Sequence, residues 1–541
     1  MKTDLNFSVM LDCSRNAVFK PSEVKKFADI IARMGYKELY LYTEDTYEIE
    51  GEEYFGYLRG KYTQKELKDI DAYCRSVGIE LVPCIQVLAH LGAIFRWRKY
   101  LYMRDINDIL LVGDEKTYEL IDKMFETISK TFTSKKLHIG MDEAHNIGRG
   151  TFLDENGYCD RYDLLLQHLD RVKKIADKYG FQINMWSDMF FRAACRGYTY
   201  EGLDEVALKA AADKLPKGVT VTYWEYYATD KTKYNKMLEL HKKYFPSVMF
   251  AGGAIEWYGY APFNEQSCKI AKAAVAGVRE NQIQDVMVTL WGDGGGQGSF
   301  YSVLPTLLYY IEVANGNEDM EIIKKKFDDL MGISWDTFML LDLPNKVDNP
   351  YVPTANPSLY MLYNDYFSGV FDCTVKEGDG EIYSEYARRL KEHSSNGEYA
   401  YIFDVLYKLC DVLSVKYELG IKTRKAYQEK DVKTLRSLAE NEYDVLPKKL
   451  KALLEAQEML WLKENKSSGI EVEQIRLGGL MQRAEFCKKL LLKHLDEGVK
   501  IAELEEPLLD FYGNGTDLLK QPIVCNEYIL CASVNPISHN L

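Results

Sequence analysis

The chain is short of several things that would have decided its class at once. None of its 541 residues fall in an unbroken apolar run of about 18, the length a bilayer-spanning helix needs. Its start, "MKTDLNFSVMLDCSRN", has one lysine, then an aspartate, and reaches a strand-like run at once, which is not the plan of a signal peptide. It has no CxxC pair, and its eleven cysteines are scattered and odd in number. We therefore expect reduced thiols in a cytoplasmic protein, without a disulfide framework or a zinc site. Basic residues are outnumbered, 68 Lys and Arg against 82 Asp and Glu, for a formal charge of -14. That balance disfavours nucleic acid and an anionic membrane as partners. No HxH or HExxH motif accompanies the histidines, so His90 and His138 read as packed, hydrogen-bonded residues behind a site, and no metal is expected. The glycine run "WGDGGGQGS" lacks the GK[ST] ending of a phosphate loop and reads as a turn needing a flexible backbone. No organic cofactor is implied. Tryptophan is also scarce, seven against 40 tyrosines, and that scarcity makes its positions informative.

What is present is a rhythm. Eight short apolar runs precede residue 300: "NFSVMLD" (6–12), "KELYLYT" (37–43), "IELVPCI" (79–85), "KLHIGMD" (136–142), "FQINMWS" (181–187), "VTVTYWE" (219–225), "SVMFAGGA" (247–254) and "DVMVTLWG" (285–292). Amphipathic stretches lie between them. "PSEVKKFADIIARMG" carries Pro and Ser near its start and Gly at its end, and "TQKELKDIDAYCRSVG" has a Thr cap and a closing Gly. Strand and helix alternating eight times predict a (β/α)₈ barrel over residues 1–320. The rival, an open doubly wound sheet, needs a glycine-rich loop after its first strand, and "MLDCSRNAVF" has none. Residues 321–541 are expected to form a mostly α-helical C-terminal domain, entered near a Pro/Asn-rich irregular link, "LPNKVDNPYVPTANPS" (343–358). The stretch "EYILCASV" looks strand-like. The aromatic, polar segment "LYMLYNDYFSGVFDC" (359–373) reads best as interdomain packing, with a cover over the pocket or a homodimer surface as alternatives.

Barrels of this kind place their chemistry at the C-terminal ends of the strands. Those ends carry Asp12 and Arg15; Glu44 and Asp45; Gln86 and His90; Asp142, Glu143 and His145; Trp186 and Asp188; Trp224, Glu225, Tyr226 and Tyr227; Glu256, Trp257 and Tyr258; and Trp291 and Asp293. Four of the seven tryptophans thus stand at four consecutive strand ends, which describes an aromatic-walled pocket rimmed by acids. Such a pocket suits a sugar, whose apolar ring faces pack on aromatics while carboxylates and arginine take the hydroxyls. The many acids, without a Lys or Arg cluster, speak against a phosphorylated substrate.

"LHIGMDEAHNIGRG" sets Asp142 and Glu143 side by side. Retaining glycosidases usually use two carboxylates about 5–5.5 Å apart across the scissile bond, which neighbours in sequence do not obviously provide. Adjacent acids do suit a variant in which a 2-acetamido group on the substrate is the nucleophile, so that one carboxylate polarises the acetamide and the other is the general acid. Like-charge repulsion and burial both raise a carboxyl pKa. We expect Glu143 to hold a proton near neutral pH while Asp142 stays ionised through its hydrogen bonds.

"LHIGMDEAH" resembles the His-x-Gly-x-Asp-Glu signature of family 20 glycoside hydrolases, the β-N-acetylhexosaminidases. "MLDCSRN", "YLYTEDTYE", "PCIQVLAHLG" and "LWGDGG" agree with that family's other strand ends over residues 1–320. The likeness is to the bacterial branch that lacks an N-terminal accessory domain. The resemblance implies hydrolysis of terminal β-linked GlcNAc or GalNAc from oligosaccharides, with retention, through an oxazolinium intermediate. It makes Glu143 the general acid/base and Asp142 the residue that orients the acetamide. Arg15 binds O3 and O4, Asp293 binds O4 and O6, and Trp186, Trp224 and Trp291 box the acetamide methyl and the ring. His90, with Glu44 or Asp45, tunes the acid from behind. The family's Tyr-x-Asp after the seventh strand is missing, and Tyr226, Tyr227, Trp257 and Tyr258 are the candidates for its task. Two other readings remain: a glycosidase with an enzyme-borne nucleophile at Glu225 or Glu256, and a sugar-binding barrel without catalysis.

Overall fold

The computed structural model describes residues 5–195, 202–347, 355–511, 525 and 527–535. Eight parallel strands close into a barrel: β1 (Asn6–Asp12), β2 (Glu38–Thr43), β3 (Glu80–Ile85), β4 (Lys136–His138), β5 (Gln182–Trp186), β6 (Thr220–Trp224), β7 (Val248–Gly253) and β8 (Asp285–Leu290). Each strand pairs with its neighbours in chain order. β8 closes on β1 in a register from Asn6↔Asp285 to Leu11↔Leu290. The strands are nearly continuous buried runs, β2 from end to end. That is the expected burial of a parallel sheet covered on both faces.

The helices between them follow their local signals. Helix α1 (Pro21–Met34) begins at a proline whose missing N–H costs nothing there, and ends at Gly35, whose φ of +113° suits a residue without Cβ. Helix α2 (Gln64–Ser76) opens on a reciprocal box between Thr63 and Glu66, worth about 1 kcal/mol. Helix α3 (Glu115–Thr131) and helix α4 (Arg161–Tyr179) are capped by Asp114 and Asp160. The expected rhythm has no counterpart for one insertion. Between β3 and α3 lie two 3₁₀ turns and a two-stranded antiparallel ribbon, Arg104–Ile106 with Ile109–Leu110.

The fourth strand is shorter than its apolar run. It stops at His138 rather than Asp142 and touches β3 through the single pair Cys84↔His138. The backbone leaves extended geometry at Gly140, Met141 and Glu143, with φ of +69°, +69° and +54°. "EYILCASV", expected as a strand, holds a short helix, Tyr528–Ala532. Residues 348–354 of the expected irregular link lie outside the described residues. Its flanks are a 3₁₀ segment, Met339–Asn345, and a helix, Pro357–Tyr363.

The chain forms two compact units that each draw on separate stretches. The first comprises Met1–Ala254, Ser267–Leu290 and Thr306–Lys326, and holds the barrel strands. The second comprises Ile255–Gln266, Trp291–Pro305 and Phe327–Leu541. Its helices include Ala400–Lys416, Glu442–Glu464 and Ile470–Glu497. Within it the buried Glu473 accepts from Tyr260 Oη at 2.6 Å and from Gln297 Nε2 at 2.9 Å, and pairs with Arg476 at 3.1 Å. No helix among the described residues is long and apolar enough to cross a membrane.

Candidate active site

The site is built on the turn that ends β4. A left-handed φ costs a non-glycine residue roughly 1–2 kcal/mol, and such strain persists only where the surroundings over-determine it. Gln86, just past β3, is one such constraint. Its Oε1 accepts from Met141 N–H at 3.1 Å, and its Nε2 donates to Asp142 Oδ1 at 2.7 Å and to Tyr42 Oη at 3.0 Å. Its amide fills the space where a side chain at position 140 would stand, so only glycine fits there. Asp188 is the other constraint, accepting from Glu143 N–H at 3.0 Å.

The two acids emerge into different surroundings. Asp142 is buried, and its Oδ2 lies 3.2 Å from His90 Nε2. The Glu143 side chain keeps 40% of its exposure. Its Oε2 is 3.7 Å from His90 Nε2, and its Oε1 is 3.6 Å from Arg192 Nη1. Burial pushes Asp142 up, but the charge and bond of His90 and the Gln86 donor outweigh it and hold Asp142 below the ordinary carboxylate range. For Glu143, burial and then the Asp142 charge raise the pKa, against His90, Arg192 and Arg15. Burial alone would lower His90, yet the Asp142 charge overrides it and carries the imidazole up to about 10, so it is an imidazolium at neutral pH. The expected asymmetry of the adjacent acids is thus present, and a histidine between them maintains it.

The partners behind them are now distinguishable. Glu44 pairs with Arg15 Nε at 3.2 Å and accepts from Tyr42 Oη at 3.1 Å, while burial pushes it up to about 6. A continuous chain therefore runs from Arg15 through Glu44, Tyr42 and Gln86 to Asp142 and His90. Asp45 faces Arg59 instead, at 3.3 Å. His138 lies under Trp186 with ring centroids 4.4 Å apart, and its Nδ1 accepts from Gly140 N–H at 3.2 Å. Burial drives its pKa down to about 3. It is a neutral buttress of the turn. No group of His, Cys, Asp and Glu among the described residues is arranged to hold a metal ion.

The aromatics divide between the two units. Trp186 and Trp224 end β5 and β6 in the first. Trp224 stacks on Tyr226 at 5.3 Å and 15°, and Tyr227 stands edge-on to Tyr226 at 6.1 Å. Arg192 lies 5.4 Å from the centre of the Trp224 ring. Trp257, Tyr258, Trp291 and Asp293 follow β7 and β8 in segments of the second unit. There Trp257 and Tyr258 pack at 5.9 Å, and Asn356 Nδ2 holds the Tyr258 carbonyl at 2.9 Å. Gly295 and Gly296, with φ of +102° and +71°, supply the flexible turn read from the glycine run.

Glu225 is occupied elsewhere. Its Oε1 accepts from the N–H groups of Tyr227 and Ala228 at 2.9 and 3.1 Å, and its Oε2 pairs with Lys233 at 2.5 Å. It closes its own turn. Two residues of the network, Tyr42 and Arg192, carry no sequence signal of their own, since each earns its place only by contacts formed in the fold. Gln86 and Asp188 do stand at strand ends, which was the available hint.

Beside Glu143 opens a cavity of about 320 Å³, lined by His145, Asn146, Arg161, Met189, Arg192, Ala193 and Cys195. Arg192 Nη1 lies 3.0 Å from His145 Nε2. Burial and then the nearby arginines lower His145 to about 4, so the ring is neutral and accepts that bond.

Residues 8–244 match the profile of the glycosyl hydrolase family 20 catalytic domain, and residues 336–522 match that of the glycoside hydrolase 20C C-terminal domain. A β-hexosaminidase of Vibrio furnissii is 26% identical over 147 residues, 24% of this chain and 24% of that protein. β-Hexosaminidase 1 of Coccidioides posadasii is 23% identical over 222 residues, 34% of this chain and 36% of that protein. The chain thus matches between a quarter and just over a third of the length of these curated relatives. The solved chitobiase of Flavobacterium johnsoniae has a TM-score of 0.47 at 16% identity, covering 93% of this chain and 74% of that one. With its barrel and its helical region each matched by a domain of the same family, the chain belongs to glycoside hydrolase family 20.

Proposed function

We propose that this protein is an exo-acting β-N-acetylhexosaminidase that releases terminal β-linked GlcNAc or GalNAc from oligosaccharides, with retention and with the substrate's own acetamide as nucleophile. One observation carries the reading. Two carboxylates, adjacent in sequence, are displaced in opposite directions, Asp142 towards its ionised form and Glu143 towards its protonated form. In this mechanism Asp142 accepts the acetamide N–H and polarises the group. The acetamide oxygen attacks the anomeric carbon while the bond to the leaving oxygen breaks. Glu143 gives that oxygen its proton. Glu143, now a carboxylate, deprotonates a water that opens the oxazolinium ring and restores the acid. Imidazolium His90 keeps Asp142 ionised through both steps. Arg15 takes sugar hydroxyls, and Trp186 and Trp224, at the ends of β5 and β6, wall the acetamide and ring. Tyr226 and Tyr227, which pack beside Trp224, are the candidates to donate to the acetamide oxygen. We place the enzyme in the cytoplasm, where its eleven free thiols suit a reducing compartment.

The test compares release of p-nitrophenol from β-GlcNAc, β-GalNAc and β-glucose conjugates by wild type and Asp142→Asn. Cleavage of the acetamido sugars alone, with a loss of about 100-fold or more in kcat for the variant, is expected. Equal cleavage of the glucoside would mean that the nucleophile belongs to the protein. Binding without any cleavage would leave a sugar-binding barrel.

A further inference from the structure

The cavity beside Glu143 has a chemical character that hydrolysis of a neutral sugar does not use. The two oxygens of Glu143 face opposite ways. Oε2 points to His90, which also holds Asp142, and Oε1 points to Arg192. The acetamido sugar belongs on the Asp142 side in the mechanism above. The glycosidic oxygen must lie at Glu143, so the leaving sugar extends on the other side, where Arg192 forms a wall of the cavity.

None of the described lining residues is a carboxylate. Arg192 is largely matched within the protein, with Glu143 Oε1 at 3.6 Å and Asp188 Oδ2 at 3.8 Å. His145 is neutral and spends its ring nitrogen as an acceptor for Arg192. Arg161, at the first residue of α4, is different. It makes no ion pair with any described carboxylate, and the acid next to it, Asp160, is turned to cap the helix, accepting from Tyr162 N–H at 2.8 Å. Among the described residues the cavity therefore presents one guanidinium fork with no carboxylate of its own, beside an amide donor on Asn146. Planar two-point donors of this kind match carboxylate and sulfate oxygens.

We propose that this cavity is the subsite for the leaving sugar and that it selects a leaving sugar bearing an oxyanion, a uronic acid carboxylate or a sulfate ester, with Arg161 as its partner. The proposal rests on the hydrolase reading above and adds a substrate class to it. Two arginines distant in sequence meet here only through the fold, so the absence of a basic cluster in the sequence did not foretell it.

The experiment uses the full chain and two disaccharides of the same linkage, β-GlcNAc on glucuronic acid and β-GlcNAc on glucose. Wild type should favour the acidic one in kcat/KM by about tenfold, the scale of one charge-assisted hydrogen bond. Arg161→Gln should bring the ratio close to one, and Arg161→Lys, which keeps the charge but not the fork, should fall between. Replacing the uronic acid by a 6-sulfated glucose tells a carboxylate site from a sulfate site. A ratio near one in wild type, or a ratio unmoved in Arg161→Gln, would overturn the proposal. So would an equal preference when the sulfate sits on the GlcNAc being released. Binding of the sulfur-linked, uncleavable pair is measured in parallel. Equal binding sinks the subsite, whereas unequal binding without hydrolysis sinks only the hydrolase reading.

Discussion

At the scale of single residues, the site turns on how one histidine apportions charge. His90 sits within 3.2 Å of Asp142 and 3.7 Å of Glu143, and the nearer, more buried acid takes most of its effect. This predicts the form of the pH profile. In the proposed mechanism the first chemical step needs Asp142 ionised and Glu143 protonated. Activity therefore falls on the acid side only as pH drops through the depressed Asp142 value. It falls on the basic side as pH rises through the elevated Glu143 value. With an activated aryl leaving group, Glu143→Gln should lose the basic limb and flatten above neutral pH, while keeping the acid limb. A basic limb that survives in that variant would assign it to another group, with Asp188, also raised by burial and by the Asp142 charge, the next to examine. The identity of both acids was legible in the sequence. Which of the two titrates high was an inference from adjacency, and the contacts of His90 and Gln86 supply its cause.

At the scale of elements, the β4 end shows why a motif and a strand do not coincide. The apolar run continues to Met141, so hydrophobicity alone extends the strand to Asp142. The strand ends four residues earlier, at His138, because left-handed backbone at Gly140 and Met141 aims both carboxylates out of the sheet. Gly140 is the hinge of that departure. Gly140→Ala would place a methyl against the Gln86 amide, which is held by three hydrogen bonds, and would put an L-residue at φ +69°. The expected cost is about 2–4 kcal/mol in stability, from the left-handed backbone together with displacement of a buried amide. A fall of at least 100-fold in kcat should accompany it, because Asp142 loses its Gln86 donor and Glu143 its aim. Thermal unfolding and p-nitrophenyl kinetics check the two parts separately. A stable, fully active variant would show that Gln86 can relocate at no cost. Strand ends were readable because the barrel repeats, whereas the Gln86 bridge joins β3 to β4 by side-chain contacts that no spacing announces.

At the scale of the whole molecule, chain order and compactness part company. Residues 255–266 and 291–305 lie within the barrel's span of sequence yet belong to the second unit. There Asn264 N–H donates to Asp342 at 3.0 Å, Ser299 Oγ to Glu464 at 2.6 Å, and Gln297 to the buried Glu473. A chain ending at residue 320 would keep these segments and remove every one of those acceptors. Buried polar groups stripped of partners cost about 1–3 kcal/mol each. The truncated chain should therefore be insoluble, or soluble without fixed aromatic packing by near-ultraviolet circular dichroism. A soluble, fully active product of residues 1–320 would refute this.

The sequence alone was enough for the eight-stranded barrel, the helical C-terminal region and the family, and it singled out the pair of acids as candidates. Those rest on periodicity, on turn chemistry and on a short motif, all of which are local and so are written directly in residue order. Tertiary structure alone decided that Glu44 rather than Asp45 faces Arg15, that Glu225 is consumed by its own turn and Lys233, and that His145 is neutral beneath two arginines. It also decided which loops join which compact unit. The reason is physical: charge state and pairing depend on distance and burial, and residues remote in the chain acquire both only when the barrel closes.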